Sequence, residues 1–82
     1  MKRVVIPPAA AKWLRRHRSQ AARILAKIEA YAETPEAQAN NVKALQGSTG
    51  LRLRVGEFRV IFEEDAEEII VTKIGPRGGV YD

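Results

Sequence analysis

Gly50-Leu51-Arg52-Leu53-Arg54-Val55-Gly56-Glu57-Phe58-Arg59-Val60-Ile61-Phe62 alternates apolar and basic residues on both sides of a central Gly-Glu pair. Alternation with period two marks β-strands with one buried face, and a two-residue Gly-X loop suits a type II′ turn, which matches the twist of the strands it joins. The turn fixes the register. Val55 faces Phe58, and the pairs outward are Arg54 with Arg59, Leu53 with Val60, Arg52 with Ile61 and Leu51 with Phe62. One face of this hairpin carries Leu51, Leu53, Val55, Phe58, Val60 and Phe62, half of a core that needs a helix layer. The other carries Arg52, Arg54 and Arg59, interrupted by Ile61. Like charges directly opposed weaken a strand pair by a few tenths of a kcal/mol, so Arg54 opposite Arg59 makes sense if an anion sits there. Arginines on a wet strand face also serve solubility alone, and the hairpin by itself leaves both readings open. On this polar face Arg59 is expected to be solvent-exposed, so that its removal costs the fold little.

Upstream, residues 3–6 are short and β-branched before Pro7-Pro8, which predicts a strand at or near a sheet edge with Pro8 close to the start of a first helix. That helix runs to about Arg16. Ala10, Trp13, Leu14 and His17 share its apolar stripe, with Trp13 as a core anchor and His17 as a packed or capping imidazole. Ser19 is expected to cap a second helix, in which Ala21, Ile24, Leu25, Ile28, Tyr31 and Ala32 repeat with helical period until Thr34-Pro35. Arg15, Arg16, Arg18, Arg23 and Lys27 stay outside. Residues 35–50 read as a connector rich in Ala, Gln and Asn, anchored by Val42 and Leu45.

Downstream, Glu63-Glu64-Asp65-Ala66-Glu67-Glu68 is an acidic turn before a last strand, residues 69–74. Apolar residues on both faces of that strand imply a central or covered position, and with Ile61 they suggest that some apolar surface remains exposed for a partner. The expected class is α+β: β-α-α-β-β-β, a twisted, mainly antiparallel four-stranded sheet with a two-helix hairpin on one face.

The 82 residues suffice for one domain, 1–82, with a modest core. No cysteine is present, which removes disulfides and thiolate metal sites. The apolar runs fall short of a membrane span, and the default location is the cytoplasm. Charge is segregated: residues 1–54 hold 11 Lys or Arg and 3 Asp or Glu, whereas residues 55–82 hold 3 and 7. A basic surface attracts phosphate chains. The usual catalytic sets are missing, since there is one His and most carboxylates sit in one turn. The acidic run lacks the spacing of a cation-binding loop. What remains is the arginine face and the tail, where Arg77 and Tyr81 can reach the same groove.

Three stretches together resemble the RelE/ParE superfamily of bacterial toxins. Residues 42–47 are similar to the family's Asn-Val-Lys-Lys-Leu-Lys-Gly connector. Residues 52–62 are similar to its Arg-Val-Gly-Asp-Tyr-Arg-Val-Ile-Tyr hairpin, and residues 75–81 to its Gly-His-Arg-Arg-Glu-Val-Tyr ending. The resemblance implies a RelE-like fold and a cytoplasmic toxin that enters the ribosomal A site and cuts mRNA, without cofactor or metal. It implies partners as well: the ribosome and mRNA, and an acidic, partly disordered cognate antitoxin, with a toxin-antitoxin hetero-oligomer binding operator DNA. Carried over, Arg52 and Arg54 grip the RNA backbone, Arg59 stabilises the phosphate in flight, Arg77 acts on the phosphate or leaving group, and Tyr81 is a general base or stacking residue. Pro76 stands where the family has His, and Gly78-Gly79 where it has Arg-Glu. The same scaffold in its ParE branch poisons DNA gyrase, and a basic nucleic-acid-binding domain without catalysis is a third reading.

Overall fold

In the computed structural model, which describes residues 1–47 and 49–79, the chain runs β1 (Arg3–Val5), α1 (Pro8–Arg16), α2 (Arg18–Glu33), a 3₁₀ helix (Pro35–Asn41), β2 (Val42–Ala44), β3 (Leu51–Val55), β4 (Phe58–Glu64) and β5 (Glu68–Pro76). Among the described residues the strands form one sheet in the order β1-β5-β4-β3-β2. β1 runs parallel to β5, and every other pairing is antiparallel. The class is α+β as the pattern implies, with five strands in place of four. The extra strand comes from the connector, where Val42, Lys43 and Ala44 pair with Leu53, Arg52 and Leu51. No β-branched alternation announces it; the free edge of β3 organises it. Such a short edge strand offers little template for further pairing. No described helix is long and apolar enough to cross a membrane.

The hairpin has the expected register from Leu51↔Phe62 to Val55↔Phe58. Gly56 has φ +58°, the sign that the first position of a type II′ turn requires, and among the described residues no non-glycine residue has positive φ. Above it lies α2. The Arg23 guanidinium donates to the Val55 carbonyl at 3.4 Å, and a Cβ on residue 56 would fall 1.6 Å from Arg23 Nη2. Gly56→Ala therefore strains the turn and pushes the arginine tip aside. An expected loss of about 1–2 kcal/mol, from the left-handed backbone alone, can be read from the urea midpoint; an unchanged midpoint would contradict it.

The helices meet at His17, whose N–H donates to the Trp13 and Leu14 carbonyls at 3.1 and 3.2 Å. Its carbonyl in turn accepts from Gln20 and Ala21 at 2.9 and 3.0 Å. His17, not Ser19, is thus the N-cap of α2, and no side chain caps it. Ser19 falls one residue inside the helix because α2 starts directly after the elbow. The imidazole stacks on Trp13 at 3.8 Å, and Trp13 meets the edge of Phe58 at 5.6 Å. Trp13 is half-buried against the core and ties the elbow to the hairpin tip.

Between helices and sheet lie Ile24, Ile28, Leu53, Val55, Val60, Phe62, Ile69 and Val71, all under 3% exposed. Full burial of each such side chain stabilises by about 1.5–3 kcal/mol. In β5 the ladder shifts between Ile61 and Phe62: Ile61 pairs with Lys73 but Phe62 with Val71, which leaves Thr72 as an extra residue. Its hydroxyl donates to the Ile61 carbonyl at 3.1 Å. This bulge re-phases the strand, so Ile69, Val71 and Ile74 all enter the core despite their odd spacing. The expectation of exposed apolar surface fails at Ile61, while Ile70 of β5 is half-buried outside the core cluster. Ile61 is 4% exposed, and Met1 is the exposed large apolar residue among those described. Ile61 lies in register between Arg52 and Lys73, long side chains whose aliphatic stems can cover it.

Far from the hairpin tip, Tyr31 O–H donates to Glu64 Oε1 at 2.7 Å while Lys2 Nζ holds Oε2 at 2.8 Å. Burial first, and then the Glu64 carboxylate, push the Tyr31 phenol up to about 12. A raised folded pKa means that the folded state holds the proton more tightly. The stabilisation is complete below pH 10 and is lost as pH rises from 10 to 12. Tyr31→Phe should remove this segment from the difference between the two stability-versus-pH curves, and superimposable alkaline limbs would refute it. In the acidic turn, Asp65 Oδ1 accepts from the Glu67 and Glu68 N–H groups at 2.8 Å each, which holds its carboxyl below the usual range.

Candidate functional site

The β3–β4 turn, the end of β5 and the 3₁₀ connector converge at one end of the sheet. The last β4–β5 pair is Phe58↔Pro76, and the Arg77 N–H extends that ladder by donating to the Glu57 carbonyl at 2.8 Å. This single bond carries the tail to the hairpin tip. Arg54, Gly56, Glu57, Arg59 and Arg77 then line an open groove of about 460 Å³ together with Lys27 from α2 and Asn41 from the 3₁₀ helix.

The two arginines opposed in register are held by different partners. Arg59 folds back on the turn, with Nη1 donating to the Gly56 and Phe58 carbonyls at 2.9 and 3.0 Å. It is 7% exposed, the buried charged residue among those described. The expectation of an exposed Arg59 that the fold can spare is therefore corrected. Alternation assigns a residue to a face, but it does not show that the side chain folds back onto the turn carbonyls and is covered there. Arg54 is exposed, and its Nη2 donates to Asn41 Oδ1 at 3.2 Å. Arg77 is exposed at the rim. Four cations around one carboxylate, Glu57, make a field suited to phosphate oxygens, for which the guanidinium fork is the matching donor.

A family model described as the ParE toxin of a type II toxin-antitoxin system, parDE, matches residues 4–81. The chain belongs to this family. It is a RelE/ParE-superfamily toxin, and a toxin of this kind is paired with a cognate antitoxin. Among curated proteins no match was found.

Of the residues singled out in the toxin's sequence, Arg54, Arg59 and Arg77 meet in the groove. Arg52 shares the polar face of β3, half-buried in register with Lys43 and Ile61, and does not line the groove. Tyr81 lies outside the described residues. The sequence does not single out three groove residues: Lys27 reads as one of many outer helical cations, Glu57 as a turn residue, and Asn41 lies inside the connector. For Asn41 the family-like connector that follows it at residue 42 was the available signal.

Proposed function

We propose that this toxin arrests translation by cutting mRNA in the ribosomal A site. The ribose 2′-oxygen attacks the adjacent phosphorus, the bond from phosphorus to the 5′-oxygen breaks, and the products are a 2′,3′-cyclic phosphate and a 5′-hydroxyl. A base accepts the 2′-OH proton, and an acid returns one to the departing oxygen. Negative charge grows on the non-bridging oxygens in between. The observation that carries this reading is Arg59, a guanidinium held by two turn carbonyls inside a cationic groove, because a donor fixed before reaction pays no reorganisation cost when charge develops. Removing one such donor costs on the order of 3–4 kcal/mol of transition-state stabilisation in enzymes that use an oxyanion hole.

In this proposal Arg59 stabilises the phosphorane, Arg77 acts on the phosphate or leaving oxygen from the rim, Arg54 and Arg52 hold the RNA backbone, and Tyr81 is the base. The antitoxin, acidic and partly disordered, would cover this face and, in a hetero-oligomer with the toxin, bind operator DNA. A second reading, gyrase poisoning, is favoured by the ParE description of the matching family and by Pro76 and Gly78-Gly79 in the tail. Translating ribosomes and a gyrase supercoiling reaction, each given the purified toxin, separate the two. Scission within A-site codons supports the proposal. Loss of supercoiling with intact mRNA replaces it by the gyrase reading, and neither effect leaves a binding-only domain.

A further inference from the structure

We propose that Lys27 and Arg54 form a second phosphate subsite beside the one at Arg59, and that Asn41 is the positioning residue that builds it. The choice of occupant, a phosphodiester of single-stranded RNA adjacent to the scissile one, rests on the RNA reading above. Arg54 and Arg59 are direct cross-strand partners, so their Cα atoms lie only about 4.5–5.5 Å apart. Left to themselves, two guanidinium groups so rooted would either repel or converge on one anion. Here each is steered by neutral oxygens, Arg59 by the turn and Arg54 by the Asn41 amide. The groove thereby acquires two cationic positions instead of one.

The chemistry of residue 41 matters. A carboxylate there would neutralise Arg54, whereas an amide oxygen orients the guanidinium and leaves its charge for a ligand. Asn41 is itself oriented, because Nδ2 donates to Gln38 Oε1 at 3.1 Å and so turns Oδ1 toward Arg54. Lys27 comes to the same groove from α2. Ion pairs join Lys2 to Glu64 and Arg3 to Glu68, and among the described residues neither Lys27 nor Arg54 is matched by a carboxylate. The relay Gln38–Asn41–Arg54 gives the 3₁₀ connector a task in recognition.

Binding of a fluorescent single-stranded oligouridylate across 50–200 mM salt tests the subsite without any cleavage. Each phosphate contact to a single strand contributes about 0.7 to the slope of log K against log salt. The double variant K27A/R54A should flatten the slope by about 0.7. Asn41→Ala keeps both cations, so a merely structural role would leave the slope unchanged; a positioning role flattens it and adds nothing in an Arg54→Ala background. Asn41→Asp should weaken binding further. Gln38→Ala, which retains Asn41, should weaken binding in the same direction and guards against a folding defect in the Asn41 variants. On ribosomes, Asn41→Ala should raise KM more than it lowers kcat. A parental slope for Asn41→Ala, full additivity with Arg54→Ala, or no oligouridylate binding by the parent would each overturn the subsite. Absence of cleavage by the parent, with the slopes as expected, would overturn only the RNA-cutting reading.

Discussion

On the RNA-cutting proposal, replacing Arg59 with alanine is expected to slow mRNA cleavage by about 10²-fold or more and, at the same time, to lower stability by roughly 1–3 kcal/mol. The first effect follows from losing a preorganised cation at the phosphate. The second follows from its burial at 7% exposure and its bonds to the Gly56 and Phe58 carbonyls, which would be left without their donor. Because both effects act together, loss of toxicity in cells would be ambiguous. Arg59→Lys separates them. The ammonium keeps the charge and can reach one carbonyl, but it cannot reproduce a planar fork. Urea melts should place it between parent and alanine variant, while single-turnover cleavage stays close to the alanine level. A folded Arg59→Ala protein that cuts at the parental rate would remove Arg59 from the chemistry.

The other large effect is expected at Tyr81. One residue, Val80, separates it from Gly79, so the chain between them reaches at most about 7 Å when extended, and Gly79 donates its N–H to the Pro76 carbonyl at 2.8 Å, two residues on from the groove residue Arg77. An unperturbed phenol, with a pKa of about 10, is a weak base near neutrality. A guanidinium brought close to a phenol favours the phenolate, and the proposal sets the Tyr81 phenol at the groove that Arg54, Arg59 and Arg77 line. Tyr81→Phe keeps the ring and deletes the oxygen, so cleavage should fall by about 10²-fold or more if the phenol moves the proton. Stacking alone predicts a mild loss. Ribosomes carrying a defined A-site codon, followed through one turnover, give the rate; parental rates for Tyr81→Phe would exclude the phenol from acid-base work.

The hairpin was legible because two local rules agree on it. A Gly-X turn sets the register, and alternation sets the face, so Arg54 opposite Arg59 follows from thirteen residues read alone. Helix boundaries were legible from Pro8 and from Thr34-Pro35 in the same way. What escaped was structure that one segment imposes on another. Val42–Ala44 becomes a strand because β3 has a free edge, and Ile61 is buried because its cross-strand neighbours are long. The groove shows the same limit. Its arginines carry a local signature, whereas Lys27 and Asn41 join it only when α2 and the connector are folded against the hairpin tip.

The extra residue at Thr72 bears on how Arg77 is aimed. Excising Thr72 would leave Ile61↔Lys73 and Phe62↔Val71 as successive rungs, with Val71 and Ile74 still directed to the helices. The core is thus indifferent to whether that position exists. Strand twist is not, because a bulge adds right-handed twist and bends the strand that carries it. Everything beyond residue 73, including the bond from Arg77 to the Glu57 carbonyl, inherits that rotation. A one-residue deletion in this strand would therefore work as a steering change, re-aiming the tail cation relative to Arg59 at little cost to the interior.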